Sequence, residues 1–180
     1  MTTRALREAE VWLRQAHSDA RTAAALLLAA PPMQVEDIGC HVAALCSQAI
    51  EKSLKGYLLL NGVTPAMNHR PDKYLPNLLT KDDPLLRHRE HHAYLSRLFD
   101  TGTKAVVKLL FDLTPGGLGS RTDVQNTEYP WTESGEWRHT PFGAAVFRDG
   151  KTLKEWVDTA QRVRNTLAKL WISVDRASLG

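Results

Sequence analysis

The chain has little cysteine and no long apolar run. Its only cysteines among 180 residues are Cys40 and Cys46. Six positions along a helix separate two side chains by about 9 Å along its axis, which is too far for a disulfide between them, so we predict two reduced thiols in the core. The first residues lack the apolar region of a signal peptide, and no apolar run reaches the length of a membrane span. We therefore expect a cytoplasmic protein without a membrane partner.

Charge, motif content and length limit the possible functions of the chain. Lys and Arg number 23 against 20 Asp and Glu, a net charge of +3, which permits an anionic partner without requiring one. The sequence has no glycine-rich phosphate loop of the Walker type, so nucleotide hydrolysis through such a loop is excluded and no cofactor is expected. The length suits a single domain with a full core.

Apolar residues recur three and four positions apart through most of the chain, which predicts helices. The predicted helices span residues 3–30, 35–61, 83–114 and 152–174, with a long irregular loop at 115–150. Asp83 followed by Pro84 is a start signal for the third of them, and the loop can hold a short hairpin around Asp149-Gly150. The longest apolar stripe belongs to the first helix and comprises Leu6, Ala9, Leu13, Ala16, Ala20, Ala23 and Leu27. The sequence thus predicts an all-α protein.

The second predicted helix carries a polar stripe formed by Gln48, Glu51, Lys52 and Lys55. At a helical period Gln48, Lys52 and Lys55 share one face, with Glu51 at its edge. One interpretation is a solvated face with a Glu51–Lys55 pair four residues apart. The other is a cationic face that binds phosphate groups.

The binding interpretation extends to the turn that follows this helix. If the turn folds back along the polar face, its basic residues converge with the two lysines, and an aromatic ring can stack on a base. The nucleotide-binding candidates are Lys52, Lys55, His69, Arg70, Lys73 and Tyr129.

Three features together resemble the HEPN family, whose name abbreviates higher eukaryotes and prokaryotes nucleotide-binding: Gln48-x-x-Glu51-Lys52-x-Leu54-Lys55, His69 in the following turn and Tyr129-Pro130 before the last helix. The resemblance covers most of the chain, and a single HEPN-like domain over residues 1–180 is expected. The chain departs from the family pattern at Glu128, where Arg is usual, and its loop before Tyr129 is expanded.

The resemblance implies a fold, partners and an activity. The fold is an up-and-down bundle of four or five helices, usually a homodimer, and often encoded beside a small nucleotidyltransferase in toxin–antitoxin or defence systems. Many members are metal-independent endoribonucleases that use an Arg followed four to six residues later by a His. One subclass adds a Tyr two residues after that His.

The octamer Arg87-His88-Arg89-Glu90-His91-His92-Ala93-Tyr94 matches this pattern, so the catalytic candidates are Arg87, His92 and Tyr94. A His can move a proton near neutral pH and an Arg can hold a phosphate. In a continuous helix, however, five residues turn by about 140°, so that Arg87 and His92 point apart while Arg87, His91 and Tyr94 line up.

Other interpretations of the octamer stay open. His88 and His92 lie four residues apart, a spacing that also suits a metal, although no metal site is expected because no third ligand completes the pair. Exposed side chains without a function are the remaining alternative. For the whole protein the expectations are a ribonuclease, a non-catalytic module that binds a nucleotide or docks a nucleotidyltransferase, or a structural dimerisation domain.

Overall fold

The computed structural model describes residues 3–29, 35–65, 75–80, 87–113, 131–133, 136–139 and 145–178. They form the helices α1 (Thr3–Ala29), α2 (Val35–Leu60), α3 (Leu75–Leu79), α4 (His92–Leu98), α5 (Thr101–Asp112) and α6 (Gly150–Ser178), and the strands β1 (Trp131–Glu133) and β2 (Glu136–His139). Single turns of 3-10 helix at Arg89–His91 and Ala145–Phe147 precede α4 and α6. The predicted all-α bundle is confirmed. None of the helices in these ranges is long and apolar enough to cross a membrane.

The largest part of the core lies between α1, α2 and α6, and buried residues of α3, α4 and α5 extend it. α1 and α2 run antiparallel, because Lys52 on α2 reaches Asp19 on α1 while Gly56, further along α2, lies against Ala9. α6 is also antiparallel to α1, since the indole of Trp171 donates to the Leu6 carbonyl at 3.3 Å. The predicted stripe of α1 is buried from Leu6 to Ala23 and half-buried at Leu27.

Both cysteines lie in this core. Cys40 and Cys46 are buried and unbonded to each other, as predicted. Burial raises the pKa of the Cys46 thiol to about 12, so this thiol keeps its proton at neutral pH.

The prediction of one continuous helix over residues 83–114 is wrong, because the structure has two helices, α4 and α5, in this range. The break lies between α4 and α5, where the Asp100 carboxylate accepts a hydrogen bond of 2.7 Å from the Thr103 amide and so caps α5. In α5, Leu109 is 41% exposed, while Val107 and Phe111 are buried. The predicted start of this helix, Asp83, lies outside the described residues.

The hairpin is present but not where it was predicted. Asp149 caps α6 instead, because its carboxylate accepts hydrogen bonds from the amides of Lys151 and Thr152 at 3.1 and 3.2 Å. β1 and β2 pair antiparallel earlier in the chain, with Glu133 opposite Glu136.

Gly39 on α2 lies directly against the turn before α6, and this contact gives a prediction. A Cβ at position 39 would lie 1.8 Å from the Phe147 carbonyl oxygen. We expect Gly39→Ala to lower the free energy of unfolding by about 2 to 3 kcal/mol, since the backbone must move apart. Urea unfolding followed by circular dichroism measures this change.

Gly102 supplies the matched control. It is exposed on α5, and a Cβ there would meet Asp100 at an ordinary 3.7 Å. Gly102→Ala should therefore be neutral or stabilising by up to about 1 kcal/mol. Equal stability of the two variants would contradict the close packing of α2 on the turn.

Candidate functional site

The histidine-rich octamer is not a continuous helix. Its first part forms the 3-10 turn Arg89–His91, and α4 begins at His92. The neighbouring His91 and His92 therefore make different contacts: His91 lies beside Tyr57 and His92 beside the Leu79 carbonyl. His91 is buried, whereas Tyr94 is 56% exposed. The turn carries His91 inward, towards α2 and α6.

His91 lies between two other helices. Its Nδ1 is 3.1 Å from the hydroxyl oxygen of Tyr57 on α2, and its Nε2 is 3.5 Å from Ser173 Oγ on α6. Burial lowers the pKa of His91 below its ordinary value, and the positive charge of a protonated His88 acts in the same direction, while the Glu90 carboxylate opposes both. His91 is therefore neutral at pH 7.

The Tyr57 hydroxyl allows His91 to take either neutral form. Burial raises the pKa of Tyr57 to about 12, so its hydroxyl keeps its proton and can donate to Nδ1 or accept from it. When Tyr57 accepts, Nε2 carries a lone pair and His91 can act as a base. The Ser173 hydroxyl donates its proton to the Leu170 carbonyl at 2.6 Å, so towards Nε2 it can only accept, and it does not occupy the lone pair when Nδ1 carries the proton.

A second imidazole lies beside the first. The rings of His88 and His91 are stacked with their centroids 5.2 Å apart. His88 Nδ1 is 3.3 Å from the Glu90 carboxylate, and this carboxyl group has a lowered pKa, first because of a backbone hydrogen bond and then because of His88 and His91. Glu90 is therefore ionised at neutral pH and is a partner for a protonated His88.

Both imidazoles line one open cavity of about 700 Å³ between the 3-10 turn, α4 and α6. We call it the imidazole cavity; its lining residues are His88, Glu90, His91, Tyr94, Thr166, Lys169, Leu170, Ser173 and Val174. Lys169 is exposed and adds a cation at this surface. Arg97 lies 5.9 Å from the ring centre of Tyr94. The cavity thus combines a neutral imidazole, a second imidazole with a carboxylate, and a lysine.

The structure separates the three residues predicted to be catalytic. The exposed Arg87 side chain lies over Gly62, at the end of α2. The His92 ring turns the other way, and its Nε2 donates to the Leu79 carbonyl at 2.8 Å. Only Tyr94 lines the imidazole cavity. Within this chain the structure therefore does not bring Arg87 and His92 together, because Arg87 lies against Gly62 and His92 against Leu79, and their joint role in catalysis stays a prediction.

The polar stripe of α2 packs against α1. Lys55 Nζ is 2.6 Å from the Glu51 carboxylate, and both residues are buried. Lys55 also lies 5.2 Å from the ring centre of Trp12, and Lys52 pairs with Asp19 at 2.6 Å. The predicted Glu51–Lys55 pair is present, but the solvated face predicted around it is wrong, because Lys55 is buried and Lys52 is only partly exposed beside Asp19.

The remaining nucleotide-binding candidates are not in the described part of the chain. His69, Arg70, Lys73 and Tyr129 all lie outside the described residues, so their convergence with Lys52 and Lys55 stays a prediction.

The sequence did not reveal Tyr57, which contacts His91, or Lys169 and Ser173, which line the cavity. For Tyr57 the available signal was that a buried tyrosine hydroxyl usually has a hydrogen-bond partner. Lys169 and Ser173 belong to the last helix, about 80 positions after the octamer, and no motif connects them to it.

The alternative of a metal site has no support from this geometry. His88 and His92 diverge, and no group of three or more His, Cys, Asp or Glu side chains among the described residues is arranged to hold a metal ion.

Comparison of the chain with protein-family models, curated proteins and solved structures finds no match. The resemblance to the HEPN family therefore depends on the sequence motifs alone.

Proposed function

We propose that this protein binds RNA and cleaves it without a metal ion, in the imidazole cavity. The observation that carries the proposal is a neutral, buried imidazole, His91, facing the cavity with a second imidazole, His88, 5.2 Å away. Metal-independent cleavage of RNA needs one group that removes a proton and one that supplies a proton, and two imidazoles can fill both roles near neutral pH.

The roles of the two rings follow from their neighbours. His91 Nε2 removes the proton from a ribose 2′-hydroxyl, and the resulting oxygen attacks the adjacent phosphorus. His88, whose Nδ1 lies 3.3 Å from the Glu90 carboxylate, supplies the proton to the departing 5′-oxygen. The products are a 2′,3′-cyclic phosphate and a 5′-hydroxyl end. Lys169 stabilises the negative charge on the phosphate during the displacement.

Tyr94 supplies a surface for a base at the rim of the cavity. Single-stranded RNA is commonly held by stacking of its unpaired bases on aromatic rings. The ring of Tyr94 is exposed, with Arg97 beside it, so this residue keeps its predicted place in the site, now as a binding residue.

The test is cleavage of a fluorescent RNA oligonucleotide in EDTA, with a uniformly 2′-O-methylated strand of the same sequence as the matched control. We expect the RNA to be cut to cyclic-phosphate ends and the methylated strand to stay intact, because methylation removes the attacking hydroxyl. Inhibition by EDTA, or equal cutting of both strands, would overturn the mechanism. Binding of RNA without any cleavage would instead favour the non-catalytic, nucleotide-binding alternative.

The partners are part of the same proposal and are supported by the resemblance in sequence. We expect a cytoplasmic homodimer that works with a small nucleotidyltransferase in a toxin–antitoxin or defence module. A nucleotidyltransferase gene beside the gene for this chain would support the module, and an isolated gene would count against it.

A further inference from the structure

A second group of basic side chains lies on another face of the bundle, where α1 meets α6. A shallow cavity of about 430 Å³ there is lined by Arg14, His17, Ser18, Arg21, Thr22 and Ala25. Arg164 on α6 lies beside it, since its positive charge and that of Arg21, after burial, lower the pKa of His17. We call Arg14, His17, Arg21 and Arg164 the arginine cluster.

One cation of this cluster is paired with a carboxylate, and another has a nitrogen without a hydrogen-bond partner within the described residues. Arg14 pairs with Glu10 at 2.6 Å. The Arg164 Nε atom is buried and has no hydrogen-bond partner within the described residues, whereas its Nη1 donates to Asn165 at 2.9 Å. A buried guanidinium nitrogen without an acceptor is costly, and an anionic oxygen is the acceptor that suits it best.

The arrangement along α1 indicates an extended anion. Arg7, Arg14 and Arg21 are exposed and repeat every seven residues, so they form one row about 21 Å long on the same face of the helix. A row of this length exceeds what a single phosphate group can contact, and a polynucleotide backbone presents phosphates at successive positions along such a line.

We propose that the arginine cluster, continued by Arg7, binds the phosphate backbone of single-stranded RNA at a site separate from the imidazole cavity. This inference rests on the proposed RNA substrate, since it describes how the flanking part of the same strand is held. Guanidinium groups suit this task because they form paired hydrogen bonds to phosphate oxygens. The cluster contributes affinity and takes no part in the chemical step.

The test is the affinity of a labelled, uncleavable 2′-O-methyl oligonucleotide, measured by fluorescence anisotropy at several salt concentrations. We expect Arg21→Glu to weaken binding at least 10-fold. The plot of the logarithm of the association constant against log salt should become less steep by about 0.7, because one phosphate contact is lost. Arg21 is exposed, so the variant should fold normally. In cleavage of unmodified RNA, the same variant should raise KM and leave kcat unchanged.

Lys151→Glu is the matched control, because it makes the same change in net charge at an exposed position at the start of α6. Its affinity should stay within about 2-fold of the wild type, since a change in net charge alone has a small effect once salt screens it. Equal weakening by both variants would overturn the proposal. Binding of ATP or inorganic phosphate that depends on Arg21 and is tighter than that of the oligonucleotide would also overturn it, in favour of a site for a single phosphate.

The two proposals can fail separately. Loss of cleavage without loss of affinity in a His91 variant, together with unchanged binding by Arg21→Glu, would remove the arginine cluster alone. Weaker binding by Arg21→Glu with no cleavage by the wild type would remove the catalytic role of the imidazole cavity alone.

Discussion

Replacing Glu51 by alanine is expected to lower the free energy of unfolding by about 3 to 5 kcal/mol. The substitution removes the carboxylate that lies 2.6 Å from Lys55 Nζ. Lys55 is only 4% exposed, so its ammonium group would stay in the interior without this carboxylate, with the ring centre of Trp12 5.2 Å away. Breaking a buried pair costs more than the pair contributes, because one charge is left uncompensated. Urea unfolding of the variant and the wild type, with the slopes compared, measures the change.

The Arg4–Glu8 pair supplies the control, since it has the same four-residue spacing on a helix but is largely exposed. Glu8→Ala should cost less than about 1 kcal/mol. Replacing both partners of the buried pair, as in Glu51→Leu with Lys55→Met, should cost less than Glu51→Ala alone, because no unpaired charge remains. If Glu51→Ala were as mild as Glu8→Ala, the buried character of the stripe would be wrong.

Replacing His91 by glutamine should reduce the cleavage of RNA in EDTA by about 100- to 10,000-fold, the usual contribution of a general base. Glutamine keeps an amide that can bond to the hydroxyl of Tyr57, but it cannot accept a proton near neutral pH. The initial rate with saturating RNA should fall, while the affinity for an uncleavable strand should stay close to that of the wild type. Unfolding curves of the variant verify that it is folded.

Two further histidines make this test specific. His92→Gln distinguishes the two mechanisms, because the sequence motif predicts a large loss and the structure, in which His92 contacts the Leu79 carbonyl, predicts a small one. His41→Gln is the neutral control, since His41 is exposed on α2. A loss in His92→Gln with full activity in His91→Gln would restore the mechanism predicted from the motif.

Much of the fold was predictable because hydrophobic periodicity determines which face of a helix is buried. The stripe of α1 from Leu6 to Ala23 was found correctly, and Asn61-Gly62 was identified as the end of α2, where Gly62 has a φ of 77°. The break at Asp100 was missed, although Asp-Thr-Gly-Thr is a recognisable capping sequence, because the apolar spacing continued across it. The apolar spacing alone predicts one continuous helix, whereas the Asp100 cap divides it into α4 and α5.

The candidate site was predictable only in part. The octamer was identified because it matches the pattern that the HEPN resemblance implies, but the inward position of His91 depends on its contacts with Tyr57 and Ser173, which the sequence does not reveal. The polar stripe of α2 was misjudged because the sequence does not show that Asp19 of α1 lies opposite Lys52. Both the position of His91 and the burial of the polar stripe depend on contacts between residues that are far apart in the sequence.

The most direct test of RNA cleavage by the imidazole cavity is the pH dependence of kcat/KM in EDTA for the wild type and His91→Gln. This ratio reports the ionisation of groups in the free protein. Because the pKa of His91 is lowered, its neutral, proton-accepting form persists below pH 6.5, so on the acid side the activity of the wild type should fall only below that pH. His91→Gln should lack this fall as well as most of the rate. Identical profiles for the two proteins, or no cleavage by the wild type at any pH, would contradict the account.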